Sequence, residues 1–274
     1  MILKKILFLS LLFLIFLPWC AGAAEKVILS VPFTSEVPDG QWIKPWNNAC
    51  EEASIVMVQE YYAGKNKMTK TEAKNLMNPL FKIEDKIFGS NADTDAFRTN
   101  KLINEYTSFG SKIVDNPTLD DIKKELKAGR PVITFHYAKD IPNSNHRWRA
   151  GGSYYHVMVI VGYDDNTEEF ITNDSGDPST GLDYRYKYDI ILSTLHDFNH
   201  QTRKADGLAR VLFTWSKTLV KAKNSNRIYL ISHDIKQYIT HPDLFKVYGW
   251  KWGKIKIVLK SWIDSLENGP AITK

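Results

Sequence analysis

Hydrophobic and polar positions along the chain fall into successive patterns, each predicting an element. Ile6 to Trp19 (ILFLSLLFLIFLPW) is apolar almost throughout, yet shorter than the roughly 20 residues that a membrane span needs. Val27 to Phe33 (VILSVPF) reads as an edge strand that Pro32 ends. Thr34 to Asn48 is rich in Pro, Gly, Asp and Asn and reads as a loop. From Cys50 the spacing turns helical: Ala53, Met57 and Tyr61 recur at intervals of four, and Gly64 supplies a stop. A second helix is expected over Met68 to Met77 and a third between Thr94 and Phe109.

Thr118 to Ala128 (TLDDIKKELKA) carries the marks of an amphipathic helix, with Thr118 and Asp121 as a capping box and Gly129 as the stop. Pro131 to Tyr137 follows as a strand, then a polar loop from Ile141 to Ser153. Tyr155 to Tyr163 (YHVMVIVGY) and Glu169 to Asn173 (EFITN) predict a hairpin turning through Asp164 to Glu168. Helices first and paired strands afterwards predict an α+β fold. Between Trp215 and Asn226 the chain becomes polar and lysine-rich. Beyond it the pattern predicts a hairpin (Arg227 to Ile239), a short helix (His241 to Trp250), a strand and a last helix. The expected organisation is therefore a main domain over 24–216 and a small C-terminal module over 217–274.

The N-terminus changes this picture by adding a compartment. Lys4 and Lys5 precede the apolar run, and Ala21-Gly22-Ala23 follows it. That order predicts a cleaved secretory signal over 1–23, with an uncleaved anchor as the second reading, and a secreted or cell-surface protein. The net charge of +5 includes the two signal lysines. No basic run with interleaved aromatics points to nucleic acid; a weak attraction to acidic cell-wall polymer is the most the charge implies.

Export makes the cysteine count informative. Of two cysteines, Cys20 leaves with the signal and Cys50 remains alone. Exported chains use cysteines in pairs, so a lone one is either a buried small hydrophobe or a working thiol. Cys50 sits where loop gives way to helix, and a helix N-terminus favours a thiolate through its unpaired N–H groups and dipole. Glu51 and Glu52 suit the dipole but would raise the thiol pKa if they point at it. A nucleophilic thiol needs a base and a group to orient it. Among the seven histidines, His156 opens a strand after a glycine loop, whereas His136 lies inside a strand and reads as a core residue. Asp174 closes the partner strand, and antiparallel pairing through the turn returns it beside His156. Alternation sends Asn173 to the other face. A metal site from Cys50, His156 and Asp174 is a further reading, without the close ligand spacing of known metal motifs.

The order ACEEAS…HVMVIVGYDD…FITNDSG resembles papain-like cysteine peptidases of the bacteriocin-processing (double-glycine leader peptidase) type. Closer still are exported, free-standing relatives in which VPFTS…PW…ACEEAS opens the domain. GRPVITF (Gly129 to Phe135) and YRYKYDIILSTLHDF (Tyr184 to Phe198) are similar to the same group, and the likeness covers about Val31 to Trp215. It implies a papain-like fold, with the cysteine at a helix N-terminus and an antiparallel sheet carrying His and Asp, and no cofactor. It implies Cys50 as nucleophile, His156 as general base and then acid, and Asp174 as the orienting group, acting on a peptide or protein substrate. Such enzymes use a glutamine upstream of the cysteine as oxyanion donor, where this chain has Glu36; Gln41 or Asn47, with the Cys50 N–H, are the alternative donors. Two activities are thus in view: hydrolysis of an amide bond, or binding of peptide or wall polymer by a relative that does not cleave. The tail is similar to small surface-associated modules, with Tyr248, Trp250 and Trp252 as either stacking faces for a polymer or a small core.

Overall fold

The computed structural model describes residues 24–146, 150–232, 234–248 and 250–273. The expected signal over 1–23, and His233 in the tail, lie outside the described residues.

Three helices follow a short N-terminal strand. α1 (Cys50–Tyr62) is buried nearly all round, with Ala53, Ile55, Val56, Met57 and Val58 at the centre of the core. α2 (Lys70–Phe88) begins at a Thr69–Glu72 capping box and ends on Gly89 in the left-handed conformation. It runs on through Pro79, beyond the Met77 expected, because Leu80 and Phe81 are buried against the core while the ring itself faces outward. Burial of two large side chains outweighs one missing N–H. α3 (Ala96–Tyr106) is capped by Asp95, whose side chain accepts the Arg98 N–H at 2.8 Å. The capping box on α4 (Leu119–Lys127) forms as expected, Thr118 and Asp121 exchanging hydrogen bonds.

Strands β1 (Lys26–Ile28), β2 (Phe109–Asp115), β3 (Val132–Tyr137), β4 (Tyr155–Asp164), β5 (Glu169–Asn173) and β6 (Tyr184–Lys187) surround the helices, followed by the short α5 (Tyr188–Ser193). β7 (Arg210–Ala222), β8 (Tyr229–Ser232), β9 (Ile235–Tyr238), α6 (Leu244–Val247), β10 (Lys256–Val258), α7 (Lys260–Ser265) and β11 (Glu267–Asn268) complete the chain. The sheet runs β11-β9-β8-β7-β3-β4-β5-β6, with β1 on β4 and β2 and β10 on β7. The fold is α+β, with Cys50 at the start of α1 and His156 on the sheet, the arrangement that the resemblance to papain-like peptidases implies. β1 is shorter than expected; past Ile28 the chain stays alongside β4 through one bond, Leu29 N–H to the Val161 carbonyl at 2.8 Å.

β4 explains the unbroken apolar run in its sequence, because both of its faces are covered. Val157, Val159 and Val161 pack with α1 and its neighbours; Met158 and Ile160 pack on the other side with Ile122 and Leu126 of α4. Two strands were not visible as patterns. β2 is a half-polar segment whose Gly110 leaves room for the Trp215 indole, and a Cβ there would sit 2.3 Å from Trp215 Nε1. The polar stretch from Trp215 belongs largely to β7. Its first half pairs with β2 and β3, and its second half with β8 and, in parallel, β10. The fully buried Asp197 ties the layers, accepting from Ala96 N at the head of α3 (2.9 Å) and from Arg210 Nη1 at the head of β7 (3.0 Å).

In the tail, Leu219, Leu230, Ile239, Leu244 and Phe245 form a separate apolar cluster. Trp252 stacks on Phe245 (centroids 3.9 Å) and Tyr248 on Trp250 (4.7 Å), while Trp252 and Tyr248 each keep a large exposed surface.

Candidate active site

β5 stops at Asn173, opposite Val159, so among the described residues the first residues of β4 have a strand neighbour only in β3. α1 comes in against this stretch: the Ser54 hydroxyl donates to the Val157 carbonyl at 3.5 Å. Ser54 lies one turn after Cys50 on the same face of α1, and Val157 follows His156. Cys50 and His156 therefore flank that contact, the one a turn before Ser54 and the other next to Val157. The third wall is the loop ahead of α1. There the Ser35 hydroxyl and the Glu36 N–H both donate to the Ser175 carbonyl at 3.0 Å, beside Asp174.

Asp174 is fully buried and carries a dense shell of donors. His156 Nε2 lies 2.8 Å from Oδ1, which also accepts the Gly176 N–H at 3.2 Å. His146 Nε2 lies 2.8 Å from Oδ2, and the Tyr186 hydroxyl donates to that oxygen at 2.6 Å. Burial works against the charge on Asp174, but His156 and the bonds from both imidazoles outweigh it and hold the carboxyl far below the usual range. Burial lowers the His156 pKa, with Asp174 opposing. Gly176 is required for this packing: a Cβ there would lie 2.8 Å from His156 Cε1.

Asn173 turns away, as alternation predicts, and donates to the Val31 carbonyl at 3.1 Å. His136 is the core residue expected, fully buried between Thr194 Oγ1 (3.0 Å) and Thr134 Oγ1 (2.8 Å), and burial lowers its pKa to about 3.

The electrostatics of the thiol differ from the helix-terminus expectation. Cys50 is buried, and its S–H donates to Glu51 Oε2 at 3.0 Å. Burial first, then Glu51 and Glu36, push the thiol well above its ordinary value. A dipole effect of the usual size cannot offset desolvation beside two carboxyl groups. Glu51 is itself raised to about 8 by burial and by Asp93, while Oε1 accepts the Thr94 N–H at 2.6 Å. Its neighbour Glu52 and Glu84 of α2 form a buried carboxyl pair, with burial raising both.

Gln41 and Asn47 are both exposed on the segment before α1. Of the acid and amide side chains on that segment, the buried one is Glu36, at 5 % exposure. Burial, then Glu51 and Asp174, raise its pKa well above the carboxylate range, although the Ala49 N–H facing it favours the charge.

His146 was missed in sequence, since nothing in a polar loop marks one histidine from its neighbours. Among the described residues the donor atoms close enough to hold a metal are those of His146, His156 and Asp174, within 4.8 Å of one another. Cys50 is outside that set, which corrects the Cys50–His156–Asp174 metal reading. The imidazole nitrogens already face carboxylate oxygens at hydrogen-bond distance, so hydrogen bonding accounts for the cluster. A cleft lined by Arg130, Trp215, Asp234, Lys256 and Trp262 opens between β7 and the tail, and none of these site residues lines it.

The family model described as "Peptidase_C39 like family" matches residues 28–204, which include Cys50, His156 and Asp174. The chain is also similar to a crystal structure described as that of a C39-like peptidase from Bacillus anthracis. The identity is 18%, the TM-score 0.43, and the match covers 69% of this chain and 97% of that one. No curated protein matches the chain.

Proposed function

The chain belongs to the C39-like peptidase family, and from that premise we propose that it is an exported cysteine peptidase hydrolysing a peptide bond through Cys50, His156 and Asp174. One observation supports the reading: a family match to a peptidase coincides with His156 held by a buried, saturated carboxylate, on the strand that α1 meets through Ser54 and Val157. With Nε2 engaged by Asp174, Nδ1 is the nitrogen that exchanges a proton with the thiol. His156 takes the Cys50 proton as Sγ attacks the carbonyl carbon, and the carbonyl π pair moves to oxygen. Collapse breaks the C–N bond, the amine leaves with the proton from His156, and a thioester remains. Water then attacks the thioester and gives a proton to His156, the C–S bond breaks to release the carboxylic acid, and the sulfur regains its proton from His156. Asp174 fixes the ring and steadies its cationic form.

The raised thiol pKa and the glutamate at position 36 favour one second reading, a relative that binds peptide without cutting it. Export rests on the pattern of residues 1–23. The exposed faces of Tyr248 and Trp252 support a wall or surface polymer as the ligand of the tail.

Incubating peptide libraries with wild type and Cys50→Ala, followed by terminal profiling, tests the reading. New termini with wild type alone are expected. Identical profiles from the two would sink the peptidase reading, and unchanged peptide affinity of Cys50→Ala would then favour the binder.

A further inference from the structure

Glu36 has no ion-pair partner among the described residues, although it is buried beside the thiol. The ionisable groups that act on it most strongly from the elements packed around it are acids: Glu51 of α1, Asp174 after β5, and Asp93 of the loop before α3. Glu36 in turn acts on Cys50. Its backbone is pinned, because the Glu36 N–H and the Ser35 hydroxyl share the Ser175 carbonyl and Ser35 Oγ accepts the Val37 N–H at 3.1 Å. Its carboxyl group faces the backbone N–H of Ala49, the residue before the nucleophile.

These constraints resemble those an amide would satisfy. A side-chain amide at this position would accept from Ala49 with its oxygen and donate with its nitrogen. A carboxylate accepts with both oxygens and cannot donate, whereas a carboxylic acid accepts with its carbonyl oxygen and donates with its hydroxyl. Burial among acids with no cation is a setting in which a carboxyl group stays neutral.

We propose that Glu36, as the neutral acid, is the side-chain donor of the oxyanion hole, paired with the Cys50 backbone N–H. This deepens the peptidase reading and rests on it. As Sγ bonds to the carbonyl carbon and the π electrons move to oxygen, that oxygen accepts hydrogen bonds from the Glu36 hydroxyl and the Cys50 N–H, and no proton changes hands. The hole then works only while Glu36 keeps its proton, so alkali shuts it in a way that an amide would not.

The test follows hydrolysis of a casein peptide mixture across pH by mass spectrometry, in a Glu51→Gln background that removes the neighbouring titration. Glu36→Ala should lower the rate by about a hundredfold or more, the usual cost of one such donor. Glu36→Gln should overtake its parent as pH rises and lose the alkaline decline. Carbon-13 NMR of labelled glutamate carboxyls should show a protonated resonance at neutral pH, beside those of the buried Glu52–Glu84 pair, that Glu36→Gln deletes. Glu36→Ala within threefold of its parent, the same alkaline decline in Glu36→Gln, or a Glu36 resonance already ionised at pH 7 would each overturn the donor role and leave the peptidase reading standing. A wild type with no Cys50-dependent hydrolysis would overturn both, and a protonated resonance in that protein would reduce Glu36 to a structural acid.

Discussion

At the scale of single residues the site is a balance of one charge kept and several suppressed. Asp174 stays ionised because donors surround it; Glu36, Glu51, Glu52 and Glu84 are driven toward neutrality by burial. For such acids the folded state holds protons that the unfolded state has released above about pH 4.5, so stability falls as pH rises toward the folded value, about 8 for Glu51. His136 and His156, lowered by burial, act oppositely, but only below their unfolded value of about 6.5. From pH 6.5 to 8 the acids dominate, opposed near the upper end by Lys217, whose pKa burial lowers to about 8, and thermal melts should show the midpoint dropping over that range. Each such proton is worth roughly 1.4 kcal/mol per pH unit, and Glu51→Gln should flatten part of the slope. Asp174 has the reverse sign: its contribution is present above its unfolded value near 3.9 and is lost as pH falls below it. The same Glu51 substitution takes a carboxyl group away from the sulfur, so iodoacetamide should label Cys50 several-fold faster at pH 8 in Glu51→Gln than in wild type. An unchanged labelling rate would mean that burial alone sets the thiol. Cys50, His156 and Asp174 stood out in the sequence because each sits at the boundary of a patterned element. The burial of Glu36 and the turn of His146 toward Asp174 are set by contacts across the chain and leave no local mark.

At the scale of elements, two glycines, Gly162 and Gly176, carry the close approaches around β4. A Cβ on Gly162 would meet the Val27 carbonyl oxygen at 2.2 Å, and both atoms belong to paired strands with no freedom to yield. Gly162→Ala should cost about 1–3 kcal/mol in denaturant melts by forcing β1 off the sheet, and an unaltered midpoint would contradict that packing. Thr118→Ala should cost about 1 kcal/mol by opening the capping box of α4. The α1, α4 and β3 boundaries and the β4–β5 hairpin were legible within a residue or two, because capping chemistry and apolar runs are local signals. β2 and β7 were not. Their polar positions face solvent or are taken up elsewhere, as when Lys217 reaches the Asn104 carbonyl at 2.9 Å. Without strong alternation, strand pairing at long range leaves little trace in either segment.

At the scale of the whole molecule, the family match ends at 204, before β7 begins at Arg210. β7 nevertheless pairs with both β2 and β3 and so lies inside the main sheet. A chain ended at residue 204 should lack a cooperative thermal transition, whereas one ended at 224, which keeps all of β7, should retain one. A sharp melt from the shorter chain would show that the sheet closes without this strand. The same strand carries β8 and β10 on its far half, so body and tail share one beam rather than a swivelling tether. If the tail holds a polymer and Cys50 cuts, as proposed, the polymer would meet the thiol at a set bearing and a set span. The module would then act as a gauge that selects which bond along an anchored chain is cut, and lengthening β7 by two residues would move the cut.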